Sequence, residues 1–169
     1  MVRENEGKRE FVCGGEESYG FNVGEFVRDK DAVVSCSMIA ECAAWAADKG
    51  MTLYQLLLSI YEEFGLYKEK LLSVTLKGKE GADKIVELMK GYRSTPPTEI
   101  GGEKVVKVVD YLKPEVTGLP KSNVIRFFGE CGSVVTVRPS GTEPKIKYYF
   151  GAKGDDADAK IEKLKAQFS

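Results

Sequence analysis

The residues with the clearest chemical potential lie in the segment RPSGTEP, residues 138–144, between two runs with the alternating pattern of β-strands. Arg138 has a guanidinium group that can donate two parallel hydrogen bonds to a phosphate. Ser140 and Thr142 add hydroxyl groups, and Gly141 allows the backbone to approach a ligand closely. Such a segment can bind an anion, and the alternative is a stiff turn whose polar side chains face water.

The neighbours of this loop bear on the same question. Pro139 and Pro144 restrict the backbone at both ends, so that little conformational entropy would be lost when an anion binds. Lys147 lies in the run that follows and would add a second positive charge if its side chain points to the same face. The chemistry of Glu143 suggests no role for it in binding an anion.

A second polar segment places two carboxylates and a hydroxyl between glycines. It contains, in order, Gly14, Gly15, Glu16, Glu17, Ser18, Tyr19 and Gly20. A carboxylate can accept hydrogen bonds from two adjacent sugar hydroxyls at once. The alternatives are a surface turn with solvated acids and a metal site, for which two clustered acids are weak support.

The charged run VRDKDAVV, residues 27–34, precedes a long apolar segment. Asp31 lies where its negative charge would interact favourably with the positive N-terminal end of a helix. Lys30 could reach a phosphate, but a run of alternating charges most often forms a solvated surface.

The overall composition excludes several classes of site. The chain of 169 residues contains no histidine, which rules out Ser-His-Asp and Cys-His catalysis. Its four cysteines lack a zinc-binding spacing, and their scattered, mostly apolar contexts suggest reduced thiols and a cytoplasmic location. The net charge of -1 argues against a nucleic-acid partner. No apolar run approaches the length of a membrane span.

Two helices are predicted after the charged run. The segment SCSMIAECAAWAADKG, residues 35–50, is apolar on nearly every side, which predicts a helix buried on most faces and ended by Gly50 at the C′ position. Thr52 and Gln55 have the spacing of a capping box and predict the start of a second helix. Apolar residues at helical spacing continue this helix to Gly65.

The rest of the sequence predicts a compact unit with a sheet and helices. Strands are predicted over residues 71–76, 103–112, 122–128, 133–138 and 145–150. Helices are predicted over residues 81–91 and 155–168, the second with an aspartate cap. One face of this second helix would pack against the sheet and contains Ala157, Ile161, Leu164 and Phe168.

Three segments in this order, CGGEESYGF, VRDKDAV and VVTVRPSGTEPKIKYY, resemble the C-terminal part of an α-D-phosphohexomutase of the phosphoglucomutase/phosphomannomutase superfamily. The resemblance covers essentially the whole chain, and its motifs look closest to phosphoglucomutase-like or phosphopentomutase-like members. It implies an α+β chain. A partial α/β segment of the third domain would occupy residues 1–66, and a compact fourth domain, with an antiparallel sheet packed against helices, would occupy residues 67–169.

The resemblance also implies roles for the loops. Glu16, Ser18 and Lys30 would bind the sugar, Lys30 at a basic position of the third domain. The phosphate would be held by Arg138, Ser140, Gly141, Thr142 and Lys147. The substrate would be a hexose or pentose phosphate, with its phosphate on the first or the last carbon.

The sequence departs from the family in two motifs. It has no Thr-Ala-Ser-His-Asn-Pro segment, where the family carries its phosphoserine, and no Asp-x-Asp-x-Asp segment, where the family holds Mg²⁺. The chain therefore resembles an excised C-terminal piece, inactive alone, whose partners are the preceding domains of the same enzyme. Mg²⁺ is expected for the full-length enzyme and no cofactor for this chain. A stand-alone anion-binding module and a protein-interaction unit are the alternatives.

Overall fold

The computed structural model describes residues 7–16, 19–141 and 143–169. Contacts divide the chain into two compact units, Met1–Ile60 and Tyr61–Ser169. The domain boundary predicted after residue 66 stays a prediction about the domains of the family.

The first unit contains a small hairpin followed by two helices. Strands β1 (Cys13–Gly15) and β2 (Phe21–Val23) pair in antiparallel orientation. The helices are α1 (Ala32–Asp48) and α2 (Leu53–Phe64), the second of which extends across the boundary between the units. The polar segment predicted to bind a sugar therefore connects the two strands of the hairpin.

Both ends of α1 are set by local signals in the sequence. The Asp31 side chain accepts hydrogen bonds from the backbone N–H groups of Val33 and Val34, at 2.8 and 3.2 Å, and caps the N-terminus. At the other end Gly50 has a φ of 69°, the left-handed conformation of a C′ glycine. The predicted helix is confirmed, although it begins at Ala32, earlier than expected.

The prediction that α1 is buried on most faces is wrong for this chain. The buried residue of the helix is Ala46, while Val33, Ile39 and Trp45 are 76%, 62% and 52% exposed. The described part of this unit offers α1 only the three-residue strands and α2 as packing partners. These elements present too little surface to cover a helix that is apolar on all sides.

The capping box at the start of α2 is confirmed. The backbone N–H of Thr52 donates to the side-chain oxygen of Gln55 at 2.8 Å, and the N–H of Gln55 donates to the Thr52 hydroxyl at 3.2 Å. Two donors that a helix N-terminus leaves unpaired are thereby satisfied. The helix ends at Phe64, and Gly65 follows with a φ of 94°.

Among the described residues, the second unit forms a six-stranded antiparallel sheet and three helices. Its strands are β3 (Tyr67–Thr75), β4 (Glu99–Ile100), β5 (Glu103–Asp110), β6 (Ile125–Gly129), β7 (Val134–Pro139) and β8 (Lys145–Lys153). Across the sheet they run in the order β3-β8-β7-β6-β5-β4. The helices are α3 (Gly78–Ser94), a short α4 (Pro114–Thr117) and α5 (Ala157–Phe168). The predicted α+β fold class is confirmed.

The core lies between one face of this sheet and helices α3 and α5. Buried and half-buried residues alternate along β6, β7 and β8, so each strand directs every second side chain into the core. The helices contribute Ile85, Met89, Ala157, Ile161 and Leu164. Phe168 packs half-buried against the same cluster, which confirms the apolar face predicted for α5.

Several local features differ from expectation, among them the two-residue strand β4, which lies where no strand was predicted. β3 begins at Tyr67, before its predicted start, and α3 continues past Gly91 to Ser94. The short helix α4 is not among the predicted elements. Asp156 stands at the N-cap of α5, but its carboxylate contacts the Lys160 ammonium at 3.0 Å and makes no capping hydrogen bond. An aspartate therefore occupies the N-cap position as predicted, but the prediction that its side chain caps the helix is wrong.

Candidate functional site

The loop with the candidate phosphate ligands connects two neighbouring strands, β7 and β8. β7 ends at Pro139 and β8 begins at Lys145. Pairing continues to the base of the loop, because the Ser140 N–H donates to the Lys145 carbonyl at 2.8 Å. The loop is therefore a short connection held by a rigid pair of strands.

Strand alternation places three cationic side chains on one face at this end of the sheet. Arg138 lies directly opposite Lys147 in the antiparallel register, and Lys145 precedes Lys147 by one side-chain period. Val137 and Ile146, which alternate with them, are buried in the core. The three charged side chains therefore project from the face opposite the core, and Lys147 shares the face of Arg138.

Arg138 and Lys147 form a pair of like charges on adjacent strands. Like charges directly opposite each other destabilise a sheet. Within the described ranges 7–16, 19–141 and 143–169, neither side chain has a hydrogen bond or an ion pair. Two unbalanced cations on neighbouring strands are the arrangement that an anion would neutralise.

The loop leaves space for a ligand at Gly141. A Cβ atom added there would meet no described atom within 4 Å, and the residue does not adopt a positive φ. The fold therefore does not require glycine at this position, whereas a ligand that approaches the backbone would require it. Ser140 beside it is half-buried, and Thr142 lies outside the described residues.

Two loop residues have contacts that the sequence interpretation missed. The Lys145 ammonium donates to the Glu143 carboxylate at 3.0 Å, and the Lys145 N–H donates to the Glu143 carbonyl at 2.7 Å. The Leu76 N–H donates to the Pro144 carbonyl at 2.9 Å, which ties the loop to the end of β3. The spacing of Lys145 and Lys147 could have indicated that Lys145 lies beside the site, because side chains two residues apart in a strand share one face.

In the first unit, two predicted site residues form an ion pair. The Lys30 ammonium donates to the Glu16 carboxylate at 3.1 Å. This hydrogen bond raises the pKa of Lys30, and the Asp29 carboxylate, 3.8 Å from the ammonium, adds to the effect. The Glu16 N–H donates to the Gly20 carbonyl at 2.8 Å and closes the turn. Ser18 lies outside the described residues.

Gly15 and Gly20 are needed for close packing around this turn. A Cβ at Gly20 would lie 2.4 Å from Cδ of Lys30, and one at Gly15 would lie 3.1 Å from the Phe21 ring. Tyr19 has a φ of 65°, the left-handed region that non-glycine residues rarely adopt. A larger residue at position 20 would displace the Lys30 side chain from its contact with the carboxylate.

The described residues do not fit a metal ion. They contain no group of three or more His, Cys, Asp or Glu side chains arranged to hold one. Mg²⁺ is expected for a full-length enzyme, and these residues do not supply a set of ligands for it. In the same ranges, no helix is long and apolar enough to cross a membrane.

Comparisons with known proteins found similar sequences for both units of the chain. Residues 1–64 match the family model of phosphoglucomutase/phosphomannomutase, alpha/beta/alpha domain III, and residues 76–168 match that of the C-terminal domain. Two similar curated relatives are the phosphoglucomutases of Staphylococcus aureus strains MRSA252 and bovine RF122 / ET3-1, at 42% and 41% identity. Each alignment covers 98% of this chain and 32% of the relative, so the chain spans about a third of their length.

A likeness of fold extends to a solved structure from Paramecium. It is the open form of the exocytosis-sensitive phosphoprotein pp63/parafusin, a phosphoglucomutase, with a TM-score of 0.62 and 21% identity. The match covers 90% of this chain and 28% of that chain, and at this identity it concerns the fold alone. Because the C-terminal family model by itself matches more than half of the residues, the chain belongs to the phosphoglucomutase/phosphomannomutase family.

Proposed function

We propose that this chain is the substrate-binding C-terminal portion of an enzyme that moves a phosphoryl group between two hydroxyls of one sugar phosphate. In that reaction a phosphoserine donates its phosphoryl group to the substrate, the bisphosphorylated sugar reorients, and its other phosphoryl group returns to the serine. The sequence of this chain contains no such serine motif. Its contribution would be binding and orientation, on which phosphoryl transfer largely depends.

The observation that carries the proposal is the unbalanced pair Arg138 and Lys147 at the base of the loop. A guanidinium group can donate two hydrogen bonds to phosphate oxygens, and an ammonium group can donate another. The N–H of Ser140 is already bonded to Lys145, so its hydroxyl is the group that would contact the phosphate. The open space at Gly141 would admit a phosphate oxygen near the backbone, and Thr142 completes the proposed set.

We assign the sugar hydroxyls to Glu16, Ser18 and Lys30, of which Lys30 contacts Glu16. A carboxylate has about four lone-pair sites, so Glu16 can accept sugar hydroxyls while it is paired with Lys30. The ion pair also fixes the direction of the carboxylate. The Lys30 ammonium is a donor and the Glu16 carboxylate is an acceptor, so that together they could hydrogen-bond to neighbouring hydroxyls of a sugar ring.

The proposed reaction sets what these loops should recognise. Because the sugar presents each of its two phosphorylated ends in turn, the loops should bind a phosphate and vicinal hydroxyls rather than one unique edge of the substrate. A hexose or a pentose phosphate meets this requirement, and the preceding domains of the enzyme would contribute the remaining groups. A cytoplasmic location is part of the proposal and is supported by the four free cysteines.

Titration of the 169-residue chain with inorganic phosphate, followed by NMR, tests the phosphate site. We expect weak, millimolar binding in which the Gly141 amide signal is among the first to shift. Arg138→Ala should lose most of this binding. Arg9→Ala, which removes the same charge from an exposed position in the first unit, should bind as the parent does. Equal binding by Arg138→Ala and the parent would contradict the assignment.

A second measurement addresses activity. The purified chain should show no mutase turnover with glucose 1-phosphate or ribose 1-phosphate, because the proposed donor serine is not among its residues. Turnover by chain that is free of host enzyme, and that Arg138→Ala reduces, would overturn the proposal that this portion only binds and orients.

A further inference from the structure

We propose that Glu143 sets the affinity of the phosphate site by neutralising Lys145, one of three cations at the base of the loop. The inference rests on the proposed function, since it concerns the same loop. It assigns a role to a carboxylate whose charge, taken alone, opposes the binding of an anion.

Lys145 is placed to be a phosphate ligand but is engaged with a carboxylate. It directly follows the loop and shares its face of the sheet with Lys147. Its ammonium donates to Glu143 at 3.0 Å. By contrast, neither Arg138 nor Lys147 has a hydrogen-bond or ion-pair partner in the part of the chain that the structure describes. The site therefore has two unbalanced cations and a third whose charge is balanced.

The ion pair is too exposed to be important for folding. The Lys145 and Glu143 side chains are 31% and 56% exposed. Pairs at such exposure contribute little to stability, because water screens the charges and ordering two side chains costs entropy. Backbone hydrogen bonds hold the loop instead, from Ser140 N–H to Lys145 and from Leu76 N–H to Pro144. Removing the Glu143 charge should leave the loop in place and change the electrostatic potential that an anion meets.

A limited affinity suits the proposed reaction. The loop must release one phosphate and accept the other when the bisphosphorylated intermediate turns over. Binding that is equally tight for every species in the cycle does not speed the chemical step, and it slows release. With Glu143 in place, the loop offers enough positive charge to orient a phosphate without retaining it.

The test is phosphate titration of the full chain at low ionic strength with charge variants. Glu143→Gln keeps the size of the side chain and removes its charge. It should bind inorganic phosphate about tenfold more tightly than the parent, because a repulsive charge is lost and the Lys145 ammonium is freed. The added affinity should decline more steeply with salt than the parent affinity does. Glu143→Asp keeps the charge and should bind within about twofold of the parent.

A double-mutant cycle tests whether Glu143 acts through Lys145. Lys145→Ala alone should weaken phosphate binding, because the carboxylate is then unbalanced. In the Lys145→Ala background, Glu143→Gln should recover only about threefold in affinity, since no freed ammonium can reach the anion. Thermal unfolding midpoints close to that of the parent would establish that all these variants fold.

Three outcomes would overturn the proposal. One is phosphate binding by Glu143→Gln that is unchanged or weaker than that of the parent. Another is an equal gain from Glu143→Gln in both backgrounds. If the parent chain binds no phosphate, the proposed function and this inference fail together. If Arg138→Ala abolishes binding while Glu143→Gln behaves as the parent, only the role of Glu143 fails.

Discussion

Replacing Glu103 with alanine should strongly destabilise the second unit. Glu103 is 7% exposed, and its carboxylate accepts hydrogen bonds from Cys131 N–H at 3.1 Å, Ser133 N–H at 3.2 Å and the Ser133 hydroxyl at 2.5 Å. These bonds hold the turn between β6 and β7. A Cβ at Gly129 would lie 2.4 Å from a Glu103 oxygen, so the glycine makes room for the carboxylate.

The magnitude follows from the three lost hydrogen bonds. Hydrogen bonds to a charged group contribute roughly 1.5–3 kcal/mol each, and the buried Ser133 donors would lose their acceptor. Desolvation of the carboxylate offsets part of this sum. The net loss should be about 3 kcal/mol in the free energy of unfolding, a large part of the roughly 5–15 kcal/mol of a typical domain. Urea denaturation measures the loss.

The adjacent Glu130 provides a matched control. It is exposed, and its carboxylate accepts a longer hydrogen bond from Lys104 N–H, at 3.3 Å. Glu130→Ala should therefore change stability by less than about 1 kcal/mol. The turn lies at the end of β7 opposite to the phosphate loop, so folded Glu103→Ala should bind phosphate like the parent. A stability loss no larger than that of Glu130→Ala would refute the reasoning.

Two further predictions concern ligand space and pH. The free energy of unfolding of Gly141→Ala should lie within about 0.5 kcal/mol of that of the parent, because the new methyl group meets open space. The same variant should nevertheless bind phosphate more weakly in an NMR titration. Parent-like binding would argue against backbone contact at this residue. Burial, with a smaller contribution from Tyr148, raises the pKa of Tyr92 above its usual value of about 10. The unfolded state therefore loses this proton first, and stability should fall as pH rises past about 10. Tyr92→Phe should reduce that fall in urea denaturation, whereas the exposed control Tyr54→Phe should not.

The sequence predicted those parts of the fold that depend on local signals. The capping box of Thr52 and Gln55 and the C′ glycine Gly50 are fixed by neighbouring residues. The end of α3, by contrast, depends on residues that are distant in the sequence. Glycine in a helix costs roughly 1 kcal/mol relative to alanine, which favoured an end at Gly91. The helix continues because Tyr92 packs against core aromatic rings.

The same distinction applies to Arg93 and to α4. Arg93 extends the last turn of α3 because its guanidinium bonds to Asp110 at 3.1 Å and to Asn123 at 2.7 Å, partners that the sequence does not place nearby. By contrast, α4 carries usable local signals. Pro114 stands in its first turn, and Gly118 follows it with a φ of 65°. This arrangement of proline and glycine is typical of a short helix.

For the candidate site, the sequence predicted the loop but not its charge balance. Residue chemistry indicated Arg138, Ser140 and Lys147, and strand alternation then fixes which side chains share a face. The contact between Glu143 and Lys145 required the conformation of the loop itself. Likewise, the ion pair between Glu16 and Lys30 joins two segments that are apart in the sequence, and the chemistry of the residues did not predict that contact.

The charges around the loop favour the proposed anion site over an ordinary surface turn. A turn that only reverses the chain would gain stability from opposite charges at facing positions, worth roughly 0.2–1 kcal/mol per pair. At the base of the loop the facing pair is Arg138 and Lys147, which carry like charges. The sequence thus forgoes local stability at this position. Local conflicts of this kind are expected where a ligand supplies the missing partner, so the position of the conflict marks where the phosphate should bind.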